Sequence, residues 1–242
     1  MGLNRDGIRF LLTAKRNGVD FTRTATLGRQ GMHLTAQELN VLLYEFGYTA
    51  SGQYLVETGY CERFLEMLGA KQVVSFDSSA YENATTVHNF NTHLAPEKDC
   101  AYDEYFTTVL DSGSLEHIFN VPVALSNLMR MVQVGGHLLL NTPSNCASGH
   151  GLYQFSPDLF FRALSPENGF AIDSILLSDN KGSWQALPDP AVCGHRVGPG
   201  VVYVDGREAE APNQKLALLL VTARRTQAVH LFTKPVQQAE YA

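Results

Sequence analysis

The chain has 242 residues, of which 45% are hydrophobic and 17% are charged, and its formal net charge at pH 7 is -6. That length and apolar content suffice for the core of one large domain, so we expect a single domain rather than two small ones. The acidic balance argues against broad nucleic-acid binding, which needs a basic face to neutralise phosphates. No apolar run approaches the length of a bilayer-spanning helix, so we expect no membrane partner.

The cysteines and the amino terminus indicate the compartment. The cysteines lie far apart and form no CxxC pair: Cys61, Cys100, Cys146 and Cys193. We expect no disulfide framework in so long and apolar a chain, and no thiolate zinc site, because structural zinc sites usually present paired ligands. The first residues lack the apolar core and cleavage site of a signal peptide. A reducing, cytoplasmic setting follows.

The first half of the chain alternates helices with short strands. Thr35 followed by Glu38 has the spacing of a capping box and predicts a helix start, and Gly18 and Gly69 end two other helices. The expected elements are helices at 6–17, 36–46 and 62–68, strands at 23–27, 72–76 and 86–88, and an extra helix with a loop near 49–59.

The middle of the chain is its most informative stretch. Between 109 and 145 it contains a short apolar strand, a loop carrying Asp111, Glu116 and His117, an amphipathic helix, a Gly135-Gly136 stop and a second apolar strand ending at Asn141. That order is half of a doubly wound sheet, and the loops at the carboxyl ends of such strands bind ligands. The polar cluster is therefore expected beside a cofactor or substrate.

The last part of the chain completes the alternation. Ser156 followed by Pro157 has the residues of a helix cap and first turn. The remaining expected elements are a helix at 157–163, strands at 171–177 and 216–223, and a loop-rich excursion at 179–212 with a short hairpin at 200–206.

This alternation predicts an α/β fold with a doubly wound, mostly parallel sheet and helices on both faces. The last strand is expected to be antiparallel, because little helix separates the final pair. An N-terminal helical extension, at about 1–20, either covers the active site or forms a homodimer contact.

Three motifs carry a family resemblance: LEH at 115–117, MVQVGGHLLL at 131–140 and NTPSN at 141–145. In this order they resemble class I S-adenosylmethionine-dependent methyltransferases, over about 25–223. The resemblance implies a seven-stranded Rossmann-like methyltransferase fold, S-adenosyl-L-methionine as cofactor, and methyl transfer to a small molecule such as a sugar or secondary metabolite. The alternative is a methyltransferase-like domain without transfer activity that binds a nucleotide-like ligand or a protein partner, since fold does not guarantee chemistry.

The resemblance also implies a set of cofactor contacts. Asp77 stands where an acidic residue accepts both ribose hydroxyls, and Asn89 stands where the adenine amine is contacted. The full set expected at the cofactor is Gly28, Arg29, Gln30, Asp77, Ser78, Asn89, Asp111, Ser112 and Gly113. The glycine loop departs from the family, because Thr26 replaces an acidic residue. Arg29 either contacts the cofactor carboxylate or forms an internal ion pair.

The segment after the fifth strand carries the residues expected to bind the methyl acceptor. GHGLYQFSP, from Gly149 to Pro157, resembles a subgroup of methyltransferase-like proteins. His150 is the candidate proton acceptor, since imidazole titrates near neutral pH, and Tyr153 is the second catalytic candidate. The expected substrate-binding residues are Asn145, His117 and Gln154.

Each of these side chains also has a structural interpretation. His150 could anchor backbone carbonyls of its loop, and His117 and Glu116 could organise their turn. His88 and His93 have a spacing near that of metal ligands, but no carboxylate or cysteine pattern completes the set. We therefore predict no metal site.

Overall fold

The computed structural model describes residues 2–94, 102–193, 201–204, 207–210 and 216–238. The strands are β1 (Gly2–Leu3), β2 (Arg23–Leu27), β3 (Gly31–Met32), β4 (Gln72–Asp77), β5 (Thr86–Val87), β6 (Phe106–Ser112), β7 (Val132–Asn145), β8 (Phe170–Ser178), β9 (Trp184–Ala186), β10 (Val201–Val204), β11 (Arg207–Glu210) and β12 (Ala217–Arg225). The helices are α1 (Arg5–Arg16), α2 (Ala36–Glu45), α3 (Gly52–Val56), α4 (Glu62–Met67), α5 (Val121–Met131), α6 (Pro157–Ala163) and α7 (Pro190–Cys193).

The main sheet has the strand order β5-β4-β2-β6-β7-β12-β8-β9. The pairs from β5 to β7 are parallel, whereas β12 is antiparallel to both of its neighbours, β7 and β8. Leaving the edge strand β9 aside, the order is 3-2-1-4-5-7-6, a doubly wound sheet with its last strand inserted antiparallel. The predicted fold class is confirmed. In such a sheet the strand order reverses between β2 and β6. Ligands bind at the carboxyl ends of these two strands.

Helices cover both faces of this sheet, which explains why whole strands are buried. All residues of β6 are buried, as expected for a parallel strand with helices on both sides. On one face, α1, α2 and α4 pack against Leu110, Leu139 and Leu220. On the other face, α5 and α6 pack against the residues that alternate with these leucines along the strands, such as Val109 beside Leu110 and Leu138 beside Leu139.

The N-terminal helix belongs to this helical layer. Asn4 caps it by accepting a hydrogen bond from the backbone N–H of Gly7, and Ile8, Leu11 and Leu12 on its inner face are fully buried. The two residues of β1 before it pair in parallel with β3, directly after the Gly28 loop. Sequence patterns did not predict this pairing, since two residues carry no periodicity. The amino-terminal segment therefore approaches the ligand edge of the sheet.

The structure corrects the interpretation of Gly135 and Gly136. The helix ends at Met131, and both glycines lie inside β7, which continues to Asn145 rather than ending at Asn141. A Cβ on Gly136 would lie 2.8 Å from the carbonyl oxygen of Thr107, where the register with β6 shifts. The glycine pair does not end a helix. It lets the backbones of β7 and β6 approach each other closely at an irregularity in their pairing.

A buried arginine ties the end of α5 to the last strand. Arg225 donates hydrogen bonds to the carbonyl oxygens of Met129, Arg130 and Val132, at 3.3, 3.0 and 2.6 Å. Nη2 of the same guanidinium pairs with Glu104 at 3.0 Å. The side chain thus adds charged donors to carbonyl groups at and just beyond the end of the helix.

The loop-rich segment at 179–212 contains more regular secondary structure than its composition predicts. Strand β9 extends the sheet edge, and α7 follows it. The short hairpin predicted at 200–206 is confirmed as β10 paired with β11, although positions 200, 205 and 206 lie outside the described residues. Within the described ranges, no helix has both the length and the apolar character that crossing a membrane requires.

Candidate functional site

The turn after β2 lies at the point where the strand order of the sheet reverses. Gly28 adopts a left-handed conformation with φ of 74°, and its N–H donates to the carbonyl of Phe76 at 2.6 Å. Thr26 donates its hydroxyl hydrogen bond to the carbonyl of Gly28 at 2.8 Å. The hydroxyl group of Thr26 therefore closes this turn internally.

Gln30 links this turn to the loop after β6. Its amide nitrogen donates to the hydroxyl oxygen of Ser114 at 3.2 Å and to the carbonyl of Leu27. Ser114 in turn donates to the Leu27 carbonyl at 2.7 Å. Oε1 of Gln30 is buried and, among the described residues, has no hydrogen-bond partner. The turn thus holds an acceptor that a donor from a ligand could satisfy.

Arg29 forms the internal ion pair that was one of its two interpretations. Its Nε lies 2.7 Å from Oε1 of Glu62, and Nη1 donates to the carbonyl of Glu82 at 2.9 Å. The guanidinium also stacks over the ring of Tyr60, 3.9 Å from its centroid. Arg29 therefore connects the first loop to the segment that follows β4.

The register of the sheet brings the expected cofactor contacts to one edge. Leu27 pairs with Phe76 on one side and with Asp111 on the other, so Gly28, Asp77 and Ser112 follow at the same level. The half-buried carboxylate of Asp77 accepts hydrogen bonds from the N–H of Ser79 at 3.1 Å and the hydroxyl of Ser78 at 3.4 Å. Asp77 therefore also organises its own turn.

Asn89 lies farther along, after β5. The side chain is exposed, and Oδ1 accepts hydrogen bonds from the backbone and side-chain nitrogens of Asn91, both at 3.0 Å. In this arrangement the amide oxygen of Asn89 is engaged by its own turn.

Two buried carboxylates stand at the carboxyl end of β6. Asp111 belongs to β6 itself, not to the loop in which the sequence pattern placed it, because the parallel pairing of the strand extends to Ser112, and Glu116 lies in the turn that follows. Asp111 accepts hydrogen bonds from the N–H groups of Ser114 and Leu115, at 3.0 and 3.3 Å. Burial, reinforced by the charge of Glu116, raises the pKa of Asp111 to about 8. Burial likewise raises the pKa of Glu116. Carboxylates withdrawn from water in this way are typical of functional sites.

Glu116, His117 and His150 form one cluster. His150 Nε2 lies 3.7 Å from Glu116 Oε1, and the two imidazole rings are 4.9 Å apart between centroids. One ligand-capable atom from each of the three side chains lies within 4.8 Å of the others. Burial is the main cause that lowers the pKa of His117, and the charge of His150 adds to it. Both imidazoles are exposed, whereas the carboxylate is buried.

The backbone holds the His150 loop against the 115–117 turn. The carbonyl of Glu116 accepts hydrogen bonds from Leu152 at 2.7 Å and from Tyr153 at 3.2 Å. Gly151, at φ of 72°, packs so closely that a Cβ would lie 2.9 Å from that same carbonyl oxygen. The glycines beside His150 therefore allow the loop to reach Glu116.

Tyr153 and Gln154 have contacts that fix this loop. The hydroxyl of Tyr153 donates to the carbonyl of Phe119 at 2.9 Å, and its ring stacks on Phe155. Gln154 accepts a hydrogen bond from the N–H of Ala147 at 2.8 Å. Asn145 is the last residue of β7 and pairs with Ala217 in the sheet.

The amino-terminal strand crosses the same edge. Ser112 donates its hydroxyl hydrogen bond to the carbonyl of Gly2 at 3.2 Å, and Asn141 donates to the oxygen of Ser112 at 3.0 Å. The side chain of Ser112 therefore contacts the β1 backbone. The sequence did not predict this contact. It favoured a structural or cofactor-loop role for Glu116 and did not connect Glu116 with His150, although the adjacent acid and imidazole in LEH were a usable signal.

Comparisons with known proteins give a fold-level likeness. No protein-family model and no curated protein matches the sequence. An S-adenosylmethionine-dependent methyltransferase from Mesorhizobium loti is 17% identical with a TM-score of 0.48, over 92% of this chain and 100% of that one. The trans-methyltransferase CalH, solved with S-adenosylhomocysteine, is 12% identical with a TM-score of 0.44, over 91% of this chain and 55% of that one.

A third similar structure has another activity in its name. The branched-chain polyamine synthase from Thermus thermophilus, solved with N4-aminopropylspermidine and 5'-methylthioadenosine, is 13% identical with a TM-score of 0.43. The match covers 96% of this chain and 60% of that one. Likeness at this level carries no conclusion about the activity of this chain.

Proposed function

We propose that the protein is an S-adenosylmethionine-dependent methyltransferase that acts on a small molecule. The observation that carries the proposal is the composition of one sheet edge. A left-handed glycine turn after β2, a carboxylate at the end of β4 and the Glu116–His117–His150 cluster all lie at the carboxyl ends of the strands. This is where doubly wound sheets hold nucleotide-like ligands.

The residues at this edge fit the chemistry of the cofactor. Asp77 offers an acceptor-only carboxylate for two ribose hydroxyls. The backbone around Gly28 can approach a ligand closely because no Cβ is present. The buried acceptor Oε1 of Gln30 suits the ammonium group at the methionine end. When bound, the cofactor supplies an electrophilic methyl group.

His150 is the residue proposed to remove the proton from the substrate that receives the methyl group. Its ring is exposed to an incoming substrate, and the buried carboxylate of Glu116 lies 3.7 Å away, where it can orient the imidazole. Methyl transfer is an in-line displacement, so alignment of the acceptor by the surrounding loop contributes much of the rate. Tyr153 and Gln154 serve this alignment by fixing the loop.

The surroundings of the cluster favour an acceptor with an apolar part. Phe119 is 75% exposed and Leu152 is 60% exposed, and both flank the loops that carry His117 and His150. Exposed apolar side chains of this size beside a polar cluster are typical of ligand sites. We therefore include hydroxylated or amino-substituted aromatic compounds in the proposed acceptor class, besides sugars and other secondary metabolites.

A second candidate function rests on Arg29. The side chain connects the first loop to the segment after Asp77 through Glu62 and Glu82. A bridge across that edge would favour a methyltransferase-like domain that no longer transfers methyl groups and instead binds a nucleotide-like ligand or a protein.

Calorimetric titration separates the two candidates. We expect S-adenosylmethionine and S-adenosylhomocysteine to bind with micromolar dissociation constants, and labelled methyl groups to appear on members of a panel of hydroxyl and amine acceptors. Absence of binding at millimolar ligand would instead support the domain without transfer activity.

A further inference from the structure

We infer that Glu116, His117 and His150 bind a divalent transition-metal ion at the acceptor end of the site. The three side chains come from two separate loops, and sequence spacing alone did not connect them. One ligand-capable atom of each lies within 4.8 Å of the other two. The inference depends on this cluster alone and is independent of the proposed methyl transfer.

The distances are close to those of a bound ion. Zinc binds imidazole nitrogen and carboxylate oxygen at roughly 2.0–2.2 Å, so two of its ligand atoms lie no more than about 4 Å apart. The distance of 3.7 Å between Glu116 Oε1 and His150 Nε2 lies within this range, and no separation in the cluster exceeds 4.8 Å. His117 and His150 are exposed, so their rings can rotate toward the buried carboxylate without repacking the core.

The environment of Glu116 gives a second reason. Its side chain is 2% exposed, and the carboxylate accepts a long hydrogen bond of 3.4 Å from the hydroxyl of Thr142. A carboxylate removed from water is normally compensated by a cation or a metal. A divalent ion held by the two imidazoles would supply that positive charge.

The ligand set indicates the class of ion. Two imidazoles and one carboxylate suit zinc, manganese or iron(II), whereas magnesium and calcium prefer oxygen ligands. Three protein ligands also leave at least one coordination position for water or substrate, as in catalytic zinc sites. An acceptor hydroxyl bound there would lose its proton more readily. His150 would be a ligand in the metal-bound protein, and its proposed role as proton acceptor applies to the metal-free protein.

The test uses the full chain, treated with a chelator that is then removed, and Zn²⁺ alone as the probe. We expect one ion per chain with a dissociation constant in the micromolar range or below. Glu116→Gln and His150→Ala should each weaken binding at least tenfold, in line with the loss of metal-site groups. The double variant His88→Ala, His93→Ala is the matched control, because it removes the other closely spaced histidine pair, and it should bind like the wild type.

Two further readouts keep the inference falsifiable. His150→Ala changes an exposed side chain, so it remains informative if Glu116→Gln fails to fold. The absorption of the Co²⁺-substituted protein should show nitrogen and oxygen ligation, and a thiolate charge-transfer band would overturn the inference. Equal zinc affinity in all variants, or no binding below millimolar zinc, would also overturn it. Titration with S-adenosylhomocysteine in the absence of metal shows independently whether the proposed function fails.

Discussion

His150 Nε2 lies 3.7 Å from Glu116 Oε1, and the pair joins an imidazole side chain that is 64% exposed to a carboxylate that is 2% exposed. The acid is fixed by its burial, whereas the imidazole can move toward a ligand. This asymmetry makes His150 the part of the cluster that an acceptor meets first. Substitutions at His150 should therefore affect chemistry more than folding.

The first prediction concerns turnover. In the metal-free protein, His150→Ala should lower kcat by about 10²–10⁴, the range for loss of a general base, while the affinity for S-adenosylhomocysteine stays nearly unchanged. Steady-state kinetics and calorimetry measure the two quantities, with His88→Ala as a control. If both quantities fall together, His150 is a scaffold residue and the assignment is wrong.

The second prediction concerns the close approach at Gly151. In Gly151→Ala, the Cβ would lie 2.9 Å from the carbonyl oxygen of Glu116, at a φ of 72° that already disfavours side chains. We expect a loss of about 2 kcal/mol of unfolding free energy and a displaced His150 loop. Gly149→Ala is the control, because its φ is 86° but no atom lies within 4 Å of the Cβ, and it should cost about 1 kcal/mol. Equal losses in urea denaturation would contradict this explanation.

The third prediction tests the buried arginine at the end of α5. Arg225→Met removes the guanidinium hydrogen bonds to the carbonyls of Met129, Arg130 and Val132 and the ion pair with Glu104. Loss of a buried, hydrogen-bonded charge should cost about 3 kcal/mol. The neighbouring exposed residue provides the control, and Arg224→Met should change the unfolding free energy by less than about 0.5 kcal/mol. Similar effects of the two substitutions would show that Arg225 does not stabilise the helix end.

The fourth prediction is a pH dependence of stability. Burial is the main cause that lowers the pKa of His137, and Asp173, 3.4 Å away, opposes it only in part. The unfolded chain, with a histidine pKa near 6.5, therefore binds this proton before the folded chain does as the pH falls. The contribution to stability is present above pH 6.5 and is lost as the pH decreases through the lower, folded pKa.

His137→Gln should remove that contribution from the pH profile. We expect the difference in unfolding free energy between wild type and variant to change as the pH falls below about 6.5. Urea denaturation at several pH values measures it. A difference that stays constant as the pH falls would show that His137 titrates alike in both states.

Local patterns predicted many helices and strands well, because their signals act within a few residues. Thr35 forms the predicted capping box with Glu38, and Ser156 caps the helix that begins at Pro157. The Gly135-Gly136 prediction was wrong because it considered a helix end alone. The controlling contact is with Thr107 on a neighbouring strand, which no local pattern contains.

The candidate site was predictable only in part for the same reason. Asp77 and Gly28 reach one edge because parallel strands share a direction, which alternation of elements already indicates. The contact between Glu116 and His150 depends on how two loops fold against each other, and the β1 strand over Ser112 depends on a two-residue pairing. Neither leaves a periodic pattern in the sequence.

Calorimetric titration of S-adenosylhomocysteine into the wild type, Asp77→Ala and Asp20→Asn tests the central claim most directly. Asp20 is the matched control. Like Asp77, its carboxylate accepts a hydrogen bond from the backbone N–H two residues later, here that of Thr22, but it lies at the opposite end of the sheet. We expect micromolar binding to the wild type and to Asp20→Asn, and loss of binding in Asp77→Ala. Unchanged affinity in Asp77→Ala, or no binding to the wild type at millimolar ligand, would contradict that claim.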